Sequence, residues 1–571
     1  MTEPAALPPS QDDVRRPRLW LAALLAVALA LFATGLWWGM PHYVGWSGDE
    51  MHPTTWSKAI SPETYRGWHT RYPPLHFAVL QGLSWPLRLG LGAAGVGEAR
   101  QIVWLIFFSR GVSLLMALGT IALVYKVGRE IYDRRSALFT AAIVMCVAPY
   151  VYYAKMGNLD VPYIFWFTLS LLFYVRILKH HRLRDYVLFA LLAAATVCTK
   201  DQAYGLYGLA PLPILWSLAG REYGERGGVL NVVRGLGRAL IDRRFLAATA
   251  AAVLGFAVFQ MLWNWNRFAL HVRLLLGPMS DNYQDYENNP EGHEALLTLF
   301  LRQIAFCLNP ALALVCTAGV VWMVWRLWKR QGGDEPFLIA SLVFLIVSYY
   351  ATFLSLILFS YDRYILPIAL LLAFPGGRLL GALAAPGRLA ALRRVAVAAL
   401  FGYSLLYAAS VDARLLADTR YEVEAWVREH APSPQAARSA AAIGRRKHIP
   451  RFRWIPWDRV LRTRGKLLAK QRPAYVAINV SDFRHESEIQ LYQRMLRGEL
   501  GYNLVLLHRG KPLFDLLDIE GMGTSQRFIN PEIALFERTG SSDRIERMDS
   551  APPPVADSPA GRAERGRGRV H

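Results

Sequence analysis

The sequence predicts a polytopic α-helical membrane protein with a small soluble α/β domain at its C-terminal end. Three observations carry that prediction. Of the 571 residues, 54% are apolar and 19% charged, where soluble proteins carry charge on about a quarter of positions, and mean hydropathy is +0.21. The apolar residues gather in about eleven runs, each near the length that crosses ~30 Å of hydrocarbon as a helix. After residue 411 the texture changes to short alternating and amphipathic segments. The net charge of +21 raises nucleic acid as a partner, but no zinc-finger, RNP or basic-zipper pattern occurs. The basic residues sit mostly in short loops between apolar runs, which points to anionic membrane lipid and away from nucleic acid.

The first run, 19–40, "LWLAALLAVALALFATGLWWGM", follows "RRPR". It is too long for the apolar part of a signal peptide and lacks a small-x-small cleavage site, so it reads as a retained anchor behind a cytoplasmic segment, 1–18. The later runs are 104–125, 136–154, 161–178, 185–199, 203–219, 245–265, 309–328, 336–358, 364–383 and 394–411. Basic loops at 126–135, 176–184, 220–244, 326–330 and 388–394 orient them by the positive-inside rule. Alternation then puts 41–103, 155–160, 200–202, 266–308, 359–363 and everything after 411 on the outer side. The apolar stretch 73–95 opens with Pro-Pro, and the later basic loops would land outside if it spanned. Helices lying in the outer interface are expected there instead. Its "GLGAAG" fits G-x-G-x-x-G but has no preceding strand and no acidic residue on a second strand, as a dinucleotide site requires.

Past residue 411, "TRYEVEAWVREHA" and "ESEIQLYQRMLRGE" read as helices, and "AYVAINV", "YNLVLLHRG" and "EIALFER" as strands. A soluble α/β domain is therefore expected over 412–540. The tail 541–571, rich in Pro, Ala, Ser and Arg, is expected to be disordered. Cys146, Cys198, Cys307 and Cys316 lie in or beside apolar runs without metal-ligand spacing, so no disulfide framework is expected.

Charges in or beside spans are costly and are either paired or functional. Those expected at the outer ends are Asp49 and Glu50, Arg71 in "RYPPLH", Lys155 and Asp160 in "KMGNLDVP", Lys200 and Asp201 in "TKDQ", and Asp362 and Arg363 in "SYDRYILP". They are scattered along the sequence yet share one membrane face. Carboxylates with Lys and Arg at a lipid and water boundary suit transfer from a lipid phosphate: a carboxylate can deprotonate an incoming hydroxyl, and fixed cations stabilise charge on the departing phosphate. The plainer reading is that each charge snorkels to headgroups or pairs with a neighbour. A divalent metal is another use of acids near His42, His52, His69 and His76. No i, i+4 His pair or H-E-x-x-H occurs, so no metal or other cofactor is assigned.

The acidic pair after the first run, "YPPLH", "NLDVP", "TK" and "DRYILP", in that order and on one face, resemble the membrane-embedded GT-C glycosyltransferases. The closer likeness is to the protein O-mannosyltransferase and lipid A aminoarabinose transferase group (glycosyltransferase family 39). "INPEIALFER" resembles the end of the soluble domain in bacterial members. The resemblance implies a catalytic membrane domain over 19–411 with a long first outer loop, 41–103. It implies inverting transfer from a polyprenyl-phosphate sugar to a glycan, lipid or protein acceptor at the outer face of the bacterial inner membrane, with the C-terminal domain periplasmic. By this likeness Asp49 is the general base, Glu50 tunes or orients it, and Asp160 orients acceptor or donor. Arg71, Tyr72, Lys200 and Arg363 lie by the donor phosphate. Where aminoarabinose transferases carry a lysine directly before Pro-Pro, this chain has Tyr72, with Arg71 one earlier, which counts against lipid A as acceptor. The rival classes are a lipid or glycan transporter or flippase and a non-catalytic scaffold. Transporters place charges near the midplane and often show repeated halves, and no internal repeat is evident.

Overall fold

The computed structural model describes residues 11–42, 44–63, 71–222, 229–277, 284–510 and 524–540. The chain forms two compact units, one of residues 1–413 with 513–526 and one of residues 414–512 with 527–571. The expected disordered tail 541–571 lies outside the described residues, as does His69.

The first unit is helical. The helices that build the site are α1 (Gln11–Ala33), α2 (Glu98–Ile131), α3 (Arg134–Met145), α4 (Ala148–Tyr153), α5 (Asp160–His180), α6 (Leu183–Val197), α7 (Trp265–Leu275), α8 (Pro290–Leu308), α9 (Asp362–Leu383) and α10 (Ala390–Leu416). Among the described residues, seven helices are long and apolar enough to cross a membrane, beginning at Glu98, Asp160, Arg243, Pro310, Glu335, Asp362 and Ala390. The four other expected spans are shorter or broken. Apolar sequence in α1 covers Leu19–Ala33. The run 136–154 divides into α3 and α4 ahead of Pro149, which sits in the first turn of α4, where its missing N–H costs nothing. The run 185–199 yields the 15-residue α6, and 203–219 breaks before Pro211. The stretch 73–95 forms two nine-residue helices, Leu75–Leu83 and Trp85–Ala93.

Burial ranks the spans. The apolar windows of α5 and α9 are 72% and 78% buried, whereas that of Arg243–Met261 is 11% buried. Both central helices begin with an aspartate, Asp160 and Asp362. Small residues let α9 approach α3 closely: a Cβ on Gly377 would lie 2.1 Å from Thr140 Oγ1, and one on Gly381 2.0 Å from Ser136 Oγ. Packing through small residues is how apolar helices gain contact where lipid offers no hydrophobic drive.

The second unit carries a five-stranded sheet in the order β2-β1-β3-β5-β4, with β1 (Ala441–Ile443), β2 (Arg453–Ile455), β3 (Tyr475–Asn479), β4 (Tyr502–His508) and β5 (Ile533–Arg538). β1 pairs in parallel with β2 and β3, and β5 runs antiparallel between β3 and β4. Val476, Ile478, Ala534 and Phe536 face one core with Trp457 and Leu491, and Ala477, Ile533 and Leu535 face another with Val423 and Val427. This two-faced burial explains why β3 reads as a continuous apolar run.

Candidate functional site

The acidic pair after α1 divides into two environments. Glu50 is buried, and Arg110, from the middle of α2, grips it with both arms of its guanidinium: Nε to Oε1 at 2.6 Å and Nη2 to Oε2 at 2.8 Å. Arg110 Nη1 also donates to the carbonyls of Leu36 and Trp38, at 2.6 and 2.9 Å, and the Gly157 N–H donates to Glu50 at 3.2 Å. Gly45, at φ +48°, permits this approach, since a Cβ there would lie 2.4 Å from Glu50 Oε2. The bidentate fork is the strong form of an ion pair, and these bonds lock the loop after α1 onto α2 and the segment before α5.

Asp49 faces the other way. Its Oδ2 accepts from Arg363 Nη1 at 2.8 Å, and its side chain keeps 28% exposure against 3% for Glu50 and 3% for Asp160. Of these three carboxylates, Asp49 is therefore the one an incoming group can reach. Arg363, in the first turn of α9, lies beside the rings of Tyr361 and Tyr364, 5.0 and 5.8 Å from their centroids. Its Nε is buried and donates to no described atom. Its carbonyl accepts from Tyr163 of α5 at 3.4 Å.

Asp160 and Lys200 form a buried ion pair. Asn158 supports Asp160 twice, its Nδ2 donating to Oδ2 and its Oδ1 accepting the Asp160 N–H, each at 3.1 Å. Lys200 also lies 5.4 Å from the ring centroid of Tyr163, whose hydroxyl accepts from Gln202 at 3.0 Å. Burial pulls the Lys200 ammonium down to about 8, against the opposing fields of Asp160 and Asp49 and with that of Arg363. Asp49, Asp160, Lys200 and Arg363 thus share one electrostatic neighbourhood.

Of the remaining expected residues, Tyr72 lies within the electrostatic reach of Arg363. Arg71 is exposed. Tyr72 is held through its backbone, its carbonyl accepting from Arg267 of α7 at 2.6 Å. Lys155 binds Asp412 of α10 and the Leu31 carbonyl, the latter at 3.0 Å, which makes it a brace between helices. No group of three or more His, Cys, Asp or Glu able to hold a metal ion occurs among the described residues.

Two residues of this region, Arg110 and Thr524, are missing from those the sequence points to, and a third, Asp362, has no role there. Arg110 carried a signal, a charge inside an apolar run, but only charges at run ends were gathered. Asp362 was gathered without a role. It is fully buried, and its Oδ1 accepts from Tyr153 at 3.1 Å and its Oδ2 from Thr524 at 2.5 Å. Thr524, far off in sequence, had no signal at all. A hydrogen bond contributes about 0.5–1.5 kcal/mol net, so Thr524→Val should lower the thermal unfolding midpoint of the detergent-solubilised protein while Thr524→Ser keeps it. Equal midpoints for both variants would deny the contact a role in anchoring α9.

Chemically, the arrangement offers one reachable carboxylate beside a guanidinium with a donor to spare, backed by a second buried ion pair. Residues 105–222 match the profile of the family described as dolichyl-phosphate-mannose-protein mannosyltransferase, a stretch that includes Asp160 and Lys200. No curated protein matches the chain. The fold is similar to the oligosaccharyltransferase AglB from Archaeoglobus fulgidus, solved with an inhibitory peptide and a dolichol-phosphate, at 13% identity over 88% of this chain and 74% of that one, with a TM-score of 0.49. It is similar to ArnT from Cupriavidus metallidurans bound to undecaprenyl phosphate, at 14% identity over 90% and 98% of the two chains, with a TM-score of 0.48. Similarity to the S. cerevisiae protein O-mannosyltransferase Pmt1-Pmt2 complex bound to the sugar donor is 15% identity over 43% and 33%, with a TM-score of 0.32. With the ordered motifs and this profile match, the chain resembles the membrane-embedded GT-C glycosyltransferases of the protein O-mannosyltransferase and aminoarabinose transferase group.

Proposed function

We propose that the protein is an inverting glycosyltransferase that moves a sugar from a polyprenyl-phosphate-linked donor to an acceptor at the outer face of a bacterial inner membrane, with the soluble α/β domain, 412–540, on that same side. The observation that carries this reading is the contact of Asp49 with Arg363 at 2.8 Å, a reachable base next to a cation at the start of a central membrane helix. In the reaction, Asp49 takes the proton of an acceptor hydroxyl, whose oxygen attacks the anomeric carbon from the face opposite the phosphate. The bond from that carbon to the phosphate oxygen breaks, its electron pair leaves on the phosphate, and Arg363 stabilises the charge that grows there. Asp160 and Lys200 hold α5 and the segment after α6 in register around the donor. Glu50, with both oxygens occupied, orients the loop that presents Asp49.

A transporter would need mobile or mid-span charges lining its path. Here Asp160 and Asp362 sit at helix starts, and Arg110, the mid-span charge, is held by Glu50. Purified protein in vesicles supplied with polyprenyl-phosphate-linked sugars should release one polyprenyl phosphate for each sugar transferred. Transfer from a nucleotide sugar without the lipid would overturn the donor, and movement of the intact lipid across the bilayer without cleavage would establish the transporter instead. Mass spectrometry of glycans and envelope lipids from a deletion strain, set against its parent, identifies the acceptor.

A further inference from the structure

A charged cavity lies at the far end of α5 from the candidate active site. α5 runs from Asp160 to His180 over 21 residues, about 30 Å of helix, so its two ends stand at opposite faces of a membrane. The cavity has a volume of about 380 Å³ and is lined by Glu130, Arg176, His180, Arg182, Arg184 and Asp185.

The basic groups here are not equivalent. Arg176 is spent on Glu130, with Nε and Nη2 both donating to Oε1 at 3.0 and 2.8 Å. Lys179 donates to the Glu130 carbonyl at 2.5 Å, Arg221 to the Lys179 carbonyl at 2.7 Å, and Arg244 to the His181 carbonyl at 3.1 Å. Each of these caps a helix end or a turn. His181 is buried between Tyr186 and Ser217, at 2.9 and 3.1 Å. Arg182 and Arg184, by contrast, are exposed, and their side chains make no hydrogen bond or ion pair with any described residue, while the Arg182 carbonyl accepts from the Asp185 and Tyr186 N–H groups. They flank the first turn of α6, whose N-terminal dipole adds to the attraction for an anion. Asp185, the acid nearest them in sequence, is buried.

We propose that this cavity binds a phosphate group through Arg182 and Arg184, and that the group is the headgroup of an anionic phospholipid in the leaflet opposite the active site. Guanidinium groups match phosphate oxygens in pairs, and side chains at the end of a spanning helix lie at headgroup depth. The proposal is independent of the transfer reaction. Because both side chains are exposed and unbonded and the backbone bonds of Arg182 survive the change, the double variant R182Q/R184Q should fold like the parent.

The test titrates full-length protein in neutral detergent with phosphatidylglycerol, phosphatidylcholine and inorganic phosphate, reading bound lipid by native mass spectrometry. A basic residue near an anionic surface contributes about 1 kcal/mol, so R182Q/R184Q should bind phosphatidylglycerol roughly 30-fold more weakly. The double variant R388Q/R394Q removes the same charge from another basic loop and should bind as the parent does. Inorganic phosphate competing at millimolar concentration would support the phosphate site and reassign its source to a free anion. Equal losses in both double variants, unchanged binding in R182Q/R184Q, or no preference for phosphatidylglycerol over phosphatidylcholine would overturn the proposal.

Discussion

Replacing Asp49 by Asn should leave a folded, membrane-inserted protein whose transfer rate falls about 10²- to 10⁴-fold, the usual contribution of a general base. The amide oxygen can still accept from Arg363 Nη1, which the carboxylate now engages at 2.8 Å, so the start of α9 keeps its position. What disappears is the proton acceptor. The loss should therefore fall on kcat, with donor affinity changed much less. Donor binding is the measurement that separates the outcomes: a variant that binds donor but does not turn over supports the role, and near-normal turnover removes it. Asp160→Asn is a useful partner experiment. Its carboxylate is buried against Lys200, so its loss should lower the amount of folded protein as well as the rate.

Glu50→Ala should have the largest effect on stability. It strands the Arg110 guanidinium, which is fully buried and whose charge is otherwise met by Glu50 alone among its bonded partners. Breaking a buried pair by removing one member costs about 3–5 kcal/mol, enough to deplete the folded form of a marginally stable domain. The double variant Glu50→Leu with Arg110→Met removes both charges and should recover much of that loss. Recovery stays partial, because the carbonyls of Leu36 and Trp38 lose the donors that Arg110 supplies. Thermal unfolding of the two variants in detergent decides the matter. If Glu50 instead carried a proton in the reaction, Glu50→Ala would abolish turnover at unchanged stability.

The membrane class, the positions of most apolar helices and, in the C-terminal unit, the helices Thr419–His430 and Glu486–Leu496 with the strands β3, β4 and β5 were legible in the sequence, because burial in lipid imposes a composition over about twenty residues and alternation imposes a period. Helix starts were legible to a few residues: the expected 161–178 and 364–383 are α5 and α9, Asp160–His180 and Asp362–Leu383. The strands β1 and β2 were not, being three residues each, too short for a period to register.

Charge partnerships were decided only in three dimensions. Sequence order placed Asp49 and Glu50 side by side, yet one meets Arg363 and the other Arg110, across a turn that ends at Asp49. The likeness of Asp160 and Lys200 to separate donor-facing groups could not reveal that they hold each other. Arg110 and Thr524 contribute through contacts that span 60 and 162 residues of chain. Local composition reports how much apolar surface a segment must hide, whereas the partner of a buried charge depends on which helices pack together, and a desolvation cost of several kcal/mol per ion makes that choice strict once packing is set.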